Sequence, residues 1–168
     1  MPAVGTVEAI FVAAQGGAPM VQVPEVRAVL GGLEGDRYFL STGYWTAVDE
    51  CQVTMIEAEA LDEIEAAGTV SVAHGEHRRN IVTRGVVLRD LSGSRVRVGG
   101  AVLEFDRPRP PCRYIETLTE PGMTRALAAR RGGICLRVVE AGRIVVGDAI
   151  EVVGEAPRRG ITSKIRRR

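Results

Sequence analysis

The sequence predicts a mainly β fold, a closed or partly closed antiparallel β-barrel with a few short helices. Short segments rich in β-branched residues recur along the 168-residue chain, glycine-containing turns separate them, and only two stretches place apolar residues at helical spacing. A sheet made of many short strands protects its edges best by curling onto itself.

Residues 4–13 and 20–29 read as two strands, separated by the turn-forming run Gln15-Gly16-Gly17-Ala18-Pro19. Gly31 to Arg37 is a glycine-rich bend without the G-x-G-x-x-G order of a dinucleotide site or the lysine of a P-loop. Residues 41–50 lack periodicity and read as a loop, whose Tyr44 and Trp45 either line a mouth for a planar substrate or anchor the loop. Residues 52–55 are a short strand. Residues 56–67 follow as the strongest helix, with Ile56, Ala60, Leu61 and Ile64 on one face, acidic residues opposite and Gly68 as the stop. Strands are expected at 80–83, 95–98 and 101–105, the last two joined by Gly99-Gly100 in a primed hairpin turn. A second helix is expected at 123–130, then strands at 134–140, 144–146 and 149–153. No fixed-period repeat is present. Residues 1–155 form one domain in this reading, and residues 156–168 a basic flexible tail, solvated rather than an interaction arm.

The balance of 45% hydrophobic and 26% charged residues is that of a globular protein. A formal net charge of +1 gives no nucleic-acid footprint. No secretory signal and no apolar run of about twenty residues is visible, so the expected location is the cytoplasm, without membrane contact. Cys51, Cys112 and Cys135 are odd in number and widely spaced, which argues against a disulfide framework or an iron–sulfur site. Cys51 and Cys135 sit in apolar strand contexts and read as small buried hydrophobes.

Cys112 differs. It ends the segment Arg107-Pro108-Arg109-Pro110-Pro111, where the prolines restrict backbone freedom and the arginines favour the thiolate form that attacks electrophiles and binds soft metals. Upstream, Arg78-Arg79-Asn80 opens an apolar strand. The competing readings are strand-end packing for Cys112, and surface salt bridges for Arg78, Asn80 and Arg37. His74 and His77 read as an exposed polar turn in preference to a base or metal ligand, and Arg107, Arg109 and Arg131 as either anion-steering or loop-solvating groups.

Five motifs in order, Gly32-Leu33-Glu34-Gly35-Asp36-Arg37, Gln52-Val53-Thr54-Met55-Ile56, Arg78-Arg79-Asn80-Ile81-Val82, Pro110-Pro111-Cys112, and Gly132-Gly133-Ile134 running to Val146-Gly147-Asp148, resemble the MOSC domain family, in its small stand-alone bacterial form. The resemblance spans roughly residues 4–153 and implies a β-barrel that binds molybdenum cofactor. It implies Cys112 as catalytic residue and metal ligand, and Arg78, Asn80, Arg37, Arg109, Gly35 and Gly133 as cofactor-binding residues, with Asp36 bracing Arg37. Soft thiolates suit the metal, and arginines suit the anionic phosphate and dithiolene. The implied function is reduction of N-hydroxylated small molecules, with a sulfur carrier using a Cys112 persulfide, or a non-catalytic cofactor-binding module, as alternatives. The Thr-Thr-x-Asp element of better-known reductases is only loosely matched by Arg113 to Thr117. No flavin, haem or iron–sulfur motif is present, so a separate electron-donor protein is the expected partner, and the oligomeric state stays open between monomer and homodimer. Pyridoxal phosphate binding is not expected.

Overall fold

The computed structural model describes residues 3–42 and 51–157. Seven strands close into a barrel, in the order β1 (Ala3–Val12), β11 (Ala149–Glu155), β7 (Ser94–Val98), β8 (Ala101–Pro108), β9 (Ile134–Glu140), β5 (Val53–Glu57) and β6 (Ile81–Arg84), which returns to β1. A short β2 (Val21–Val23) extends β1 at its carboxyl end. A second sheet of three strands joins β3 (Glu25–Val29), β4 (Gly32–Leu33) and β10 (Gly142–Val145).

The barrel matches the sequence expectation, with one departure from antiparallel pairing. β5 and β6 run parallel, and the helix α2 (Ala58–Ala67) forms part of the crossover between them. A parallel pair needs such a long connection, because a tight turn only joins antiparallel strands. β5 is buried on both faces: Val53 and Met55 belong to the barrel core, while Ile56 packs in a second cluster with Ile64, Val82, Ile115, Met123 and Leu127. The chain therefore reads as a continuous apolar run there, with no alternation. Ile56 belongs to the strand, paired in register with Val82, so α2 starts two residues later than its apolar spacing predicts. It stops where expected, at Gly68, whose N–H reaches the carbonyls of Ile64 and Glu65.

Other boundaries shift for local reasons. The strand expected at 20–29 is split at Pro24, which has no N–H to donate. The hairpin between β7 and β8 pairs Val98 with Ala101 across Gly99-Gly100, and Gly99 alone has positive φ, the II′ pattern. The helix expected at 123–130 ends after four residues as α4 (Met123–Ala126), and a separate 3₁₀ turn (Ala129–Gly132) follows; the φ of 57° at Ala129 prevents a continuous right-handed α-helix across the two. Two short helices escape sequence detection because they are too brief to show periodicity: α1 (Arg37–Leu40), capped by the Asp36 carboxylate, and α3 (Tyr114–Leu118). No helix among the described residues is long and apolar enough to cross a membrane. Tyr44, Trp45 and residues 158–168 of the basic tail lie outside the described residues.

Candidate cofactor and anion site

Beside the barrel lies a cavity of about 230 Å³, lined by Arg37, Arg78, Arg79 and Arg109, by Tyr38 and Tyr114, and by the segment Pro110-Pro111-Cys112. Among the described residues no acidic side chain lines it. Guanidinium groups gathered in such a hollow repel one another unless an anion joins them, so the electrostatics favour an anionic ligand.

Each cationic group is placed by a different element. Arg37 heads α1 and is 5% exposed; its guanidinium donates to the Asp36 carboxylate at 3.1 Å and to the Arg78 carbonyl at 3.1 Å, and it stacks 4.4 Å from the Tyr38 ring centre. Asp36 thus braces Arg37 while capping the helix through the Tyr38 N–H. Arg78 precedes β6 in the left-handed region, at φ 61°, an uncommon conformation for a residue with a Cβ. Its side chain donates to the Ala18 carbonyl at 2.7 Å. Burial and the neighbouring Arg37 charge lower the Arg78 pKa to about 10, so an arriving anion would relieve repulsion already present.

Arg79, which the sequence does not mark as a site residue, organises the Cys112 segment. Its Nε donates to the Gly132 carbonyl at 2.8 Å and its terminal nitrogen to the Arg109 carbonyl at 3.2 Å, while the Arg109 N–H donates to the Gly133 carbonyl at 2.9 Å. The loop that carries Cys112 is thereby tied to the start of β9 through one buried side chain. The Arg79 N–H is in turn held at 2.9 Å by Nδ1 of His77, which fixes the imidazole with its proton on Nε2. His77 is fully buried, in contrast to the exposed turn expected of it, because its ring packs edge-on against Phe11; His74 is exposed.

Cys112 is exposed at the edge of the cavity, and its carbonyl accepts from the Ile115 N–H at 3.1 Å and from the Thr124 hydroxyl at 3.3 Å. Arg109 reaches across to the Tyr38 hydroxyl at 3.2 Å. Arg107, its near neighbour in sequence, pairs with Asp106 and does not line the cavity; Arg131 holds the Ala126 carbonyl.

Of the other residues expected at the site, Asn80 lies beneath it. Fully buried, it accepts from the Thr54 N–H and hydroxyl at 3.0 and 3.1 Å, and donates its side-chain amide to the Phe11 carbonyl and the Asp36 carboxylate. With these bonds made, Asn80 ties β5, β6, β1 and the α1 cap together and does not line the cavity. Gly35 sits in the turn before Asp36, with open space around it, and is likewise outside the lining. Gly133, at φ 85°, faces the β5 backbone, where a Cβ would collide with the Met55 carbonyl; its close approach is to protein, not to the cavity.

The model of the MOSC domain matches residues 42–151. The chain belongs to the MOSC domain family. Among solved structures, this MOSC chain is similar to the YuaD protein from Bacillus subtilis, with a TM-score of 0.75 at 20% identity over 90% of this chain and 97% of that one. It is also similar to YiiM from Geobacillus stearothermophilus (TM-score 0.63, 17% identity, 95% of this chain and 75% of that one) and to YiiM from Escherichia coli (TM-score 0.61, 19% identity, 96% and 74%). These likenesses establish a shared fold. No curated protein matches the sequence.

Proposed function

We propose that this MOSC protein binds molybdenum cofactor and reduces N-hydroxylated small molecules. The observation that supports the reading is a single exposed thiol, Cys112, on the edge of a cavity that, among the described residues, gathers four arginines and no acidic side chain. That donor set suits the group: a soft thiolate for the metal, and guanidinium forks for the anionic dithiolene and phosphate.

In this reading Cys112 is the protein ligand to the metal, and Arg78, Arg37 and Arg109 bind and orient the anionic parts of the cofactor. Arg79 positions the Cys112 segment through the Gly132 and Arg109 carbonyls. Tyr38 and Tyr114 offer planar surfaces to a planar ligand. When bound, the cofactor supplies a metal able to take up an oxygen atom. The overall conversion of a hydroxylamine-type compound to its amine and water consumes two electrons and two protons, and the electrons come from a separate donor protein.

Protein produced in a host that makes the cofactor should contain near-stoichiometric molybdenum, and should turn over an N-hydroxylated base or amidoxime with a chemical reductant. Absence of turnover by molybdenum-loaded protein would refute the reductase assignment. The exposure of Cys112 also favours a second reading, in which its thiol carries a persulfide for sulfur transfer. Intact mass separates the two: one added sulfur on Cys112 without metal supports the carrier, and bound pterin with metal supports the cofactor protein.

A further inference from the structure

Cys51 and Cys135 are 84 positions apart in sequence, yet their sulfurs meet at 2.6 Å, with Cys51 donating. Both are buried, at 4% and 0% exposure. Pairing of β5 with β9 sets Cys135 opposite Thr54, and Cys51 lies two residues before β5, its sulfur also 3.7 Å from the Val53 carbonyl. Bridging the two sulfurs therefore requires no rearrangement of strands.

Their surroundings are unlike a plain apolar core. On the other side of β9, Cys135 stands in register with Arg107, at a point where the β8–β9 ladder shifts by one residue. The charges of Arg79 and Arg107 act on both thiols, and that of Arg109 on Cys135. The Cys51 hydrogen bond, reinforced by those arginines against the opposing effect of burial, lowers the Cys135 pKa to about 7, whereas the same bond and burial raise that of Cys51. One sulfur is thus prepared as nucleophile, and the other stands beside it as a protonated thiol.

We propose that Cys51 and Cys135 form a redox modification site, a thiol pair that closes reversibly to a disulfide under hydrogen peroxide, separately from Cys112. Peroxide is a small uncharged molecule and reaches buried groups through local opening. The Cys135 thiolate attacks one peroxide oxygen; the O–O bond breaks, hydroxide leaves and a sulfenic acid remains. The Cys51 sulfur then attacks the Cys135 sulfur, and the sulfenic oxygen departs as water with the Cys51 proton. In sum, two thiols and one peroxide give one disulfide and two waters, and the sulfurs lose the two electrons that peroxide gains.

The test is alkylation of the full chain under denaturing conditions, followed by intact mass and peptide mapping. Reduced protein should take up label at all three cysteines. After brief exposure to peroxide the Cys51 and Cys135 peptides should be linked to each other and closed to label, whatever the state of Cys112, and dithiothreitol should restore labelling of the pair. Cys112→Ser should show the same link, and Cys135→Ser should leave Cys51 open to label. Continued labelling of both Cys51 and Cys135 at peroxide doses that oxidise Cys112, or a mapped link that includes Cys112, overturns the proposal.

Discussion

The two sulfur sites of this protein share a set of arginines but differ in every other respect. Cys112 is exposed, lies outside regular structure and has no cysteine among its cavity neighbours, whereas Cys51 and Cys135 are buried against each other, Cys135 within a barrel strand. Arg79 and Arg109 line the cavity next to Cys112 and also act electrostatically on Cys135. The same positive charge thus meets two settings: on the exposed side it favours an anionic ligand, and on the buried side it favours a thiolate. The difference shows that cysteine chemistry here is set by solvent access and by partners, with the local charge held in common.

The contrast is broken most sharply by Cys112→Ser, which is expected to lower molybdenum content to background while changing folding stability by less than about 0.5 kcal/mol, since the residue is exposed. Metal analysis and denaturant titration measure the two effects, and full metal retention would count against Cys112 as ligand. Asn80→Ala attacks the buried side. It strips partners from Thr54, Phe11 and Asp36 at once and should cost about 3 kcal/mol, read as a lower denaturation midpoint.

Peroxide-treated protein should melt higher than reduced protein, because a Cys51–Cys135 link closes a long loop and is worth roughly 2–4 kcal/mol. Cys135→Ser should abolish that gain and Cys112→Ser should keep it.

The remaining effect concerns pH. Burial, with help from Arg79 and Arg78, depresses the His77 pKa from 6.5 to about 3, so the folded state binds a proton less readily than the unfolded chain. The stability tied to this group is complete above the unfolded value and is lost as pH falls from about 6.5 toward about 3, by at most about 1.4 kcal/mol per pH unit. Urea titrations at about pH 7 and about pH 5 should show the slope, and His77→Asn, which offers an acceptor to the Arg79 N–H, should flatten it.

Much of the barrel is legible in the sequence. β-branched runs marked most strands, and Gly68 and the Gly99-Gly100 pair marked a helix end and a hairpin. Helix α1 is not, because four residues are too few to repeat a pattern; Asp36 as its cap is the available signal. Within the site, Cys112 stood out through its prolines, and Arg78 and Arg37 through their motifs, and the structure brings all three to one cavity. Arg79 carries no such mark, because its importance lies in two carbonyls 30 and 53 residues downstream, on Arg109 and Gly132. His77 looked like part of a polar turn, since nothing in sequence reveals the Phe11 ring packed against it.

By itself the sequence determined the β-rich barrel, its main turns and the presence of a distinctive cysteine among arginines, because these depend on local conformational preference and on residue type. Tertiary structure alone decided that β5 and β6 run parallel, that Asn80 lies beneath the cavity, and that Cys51 meets Cys135. Those outcomes come from strand pairing between distant segments, and which strand lies beside which is fixed by the packing of the whole barrel, not by any short stretch of chain.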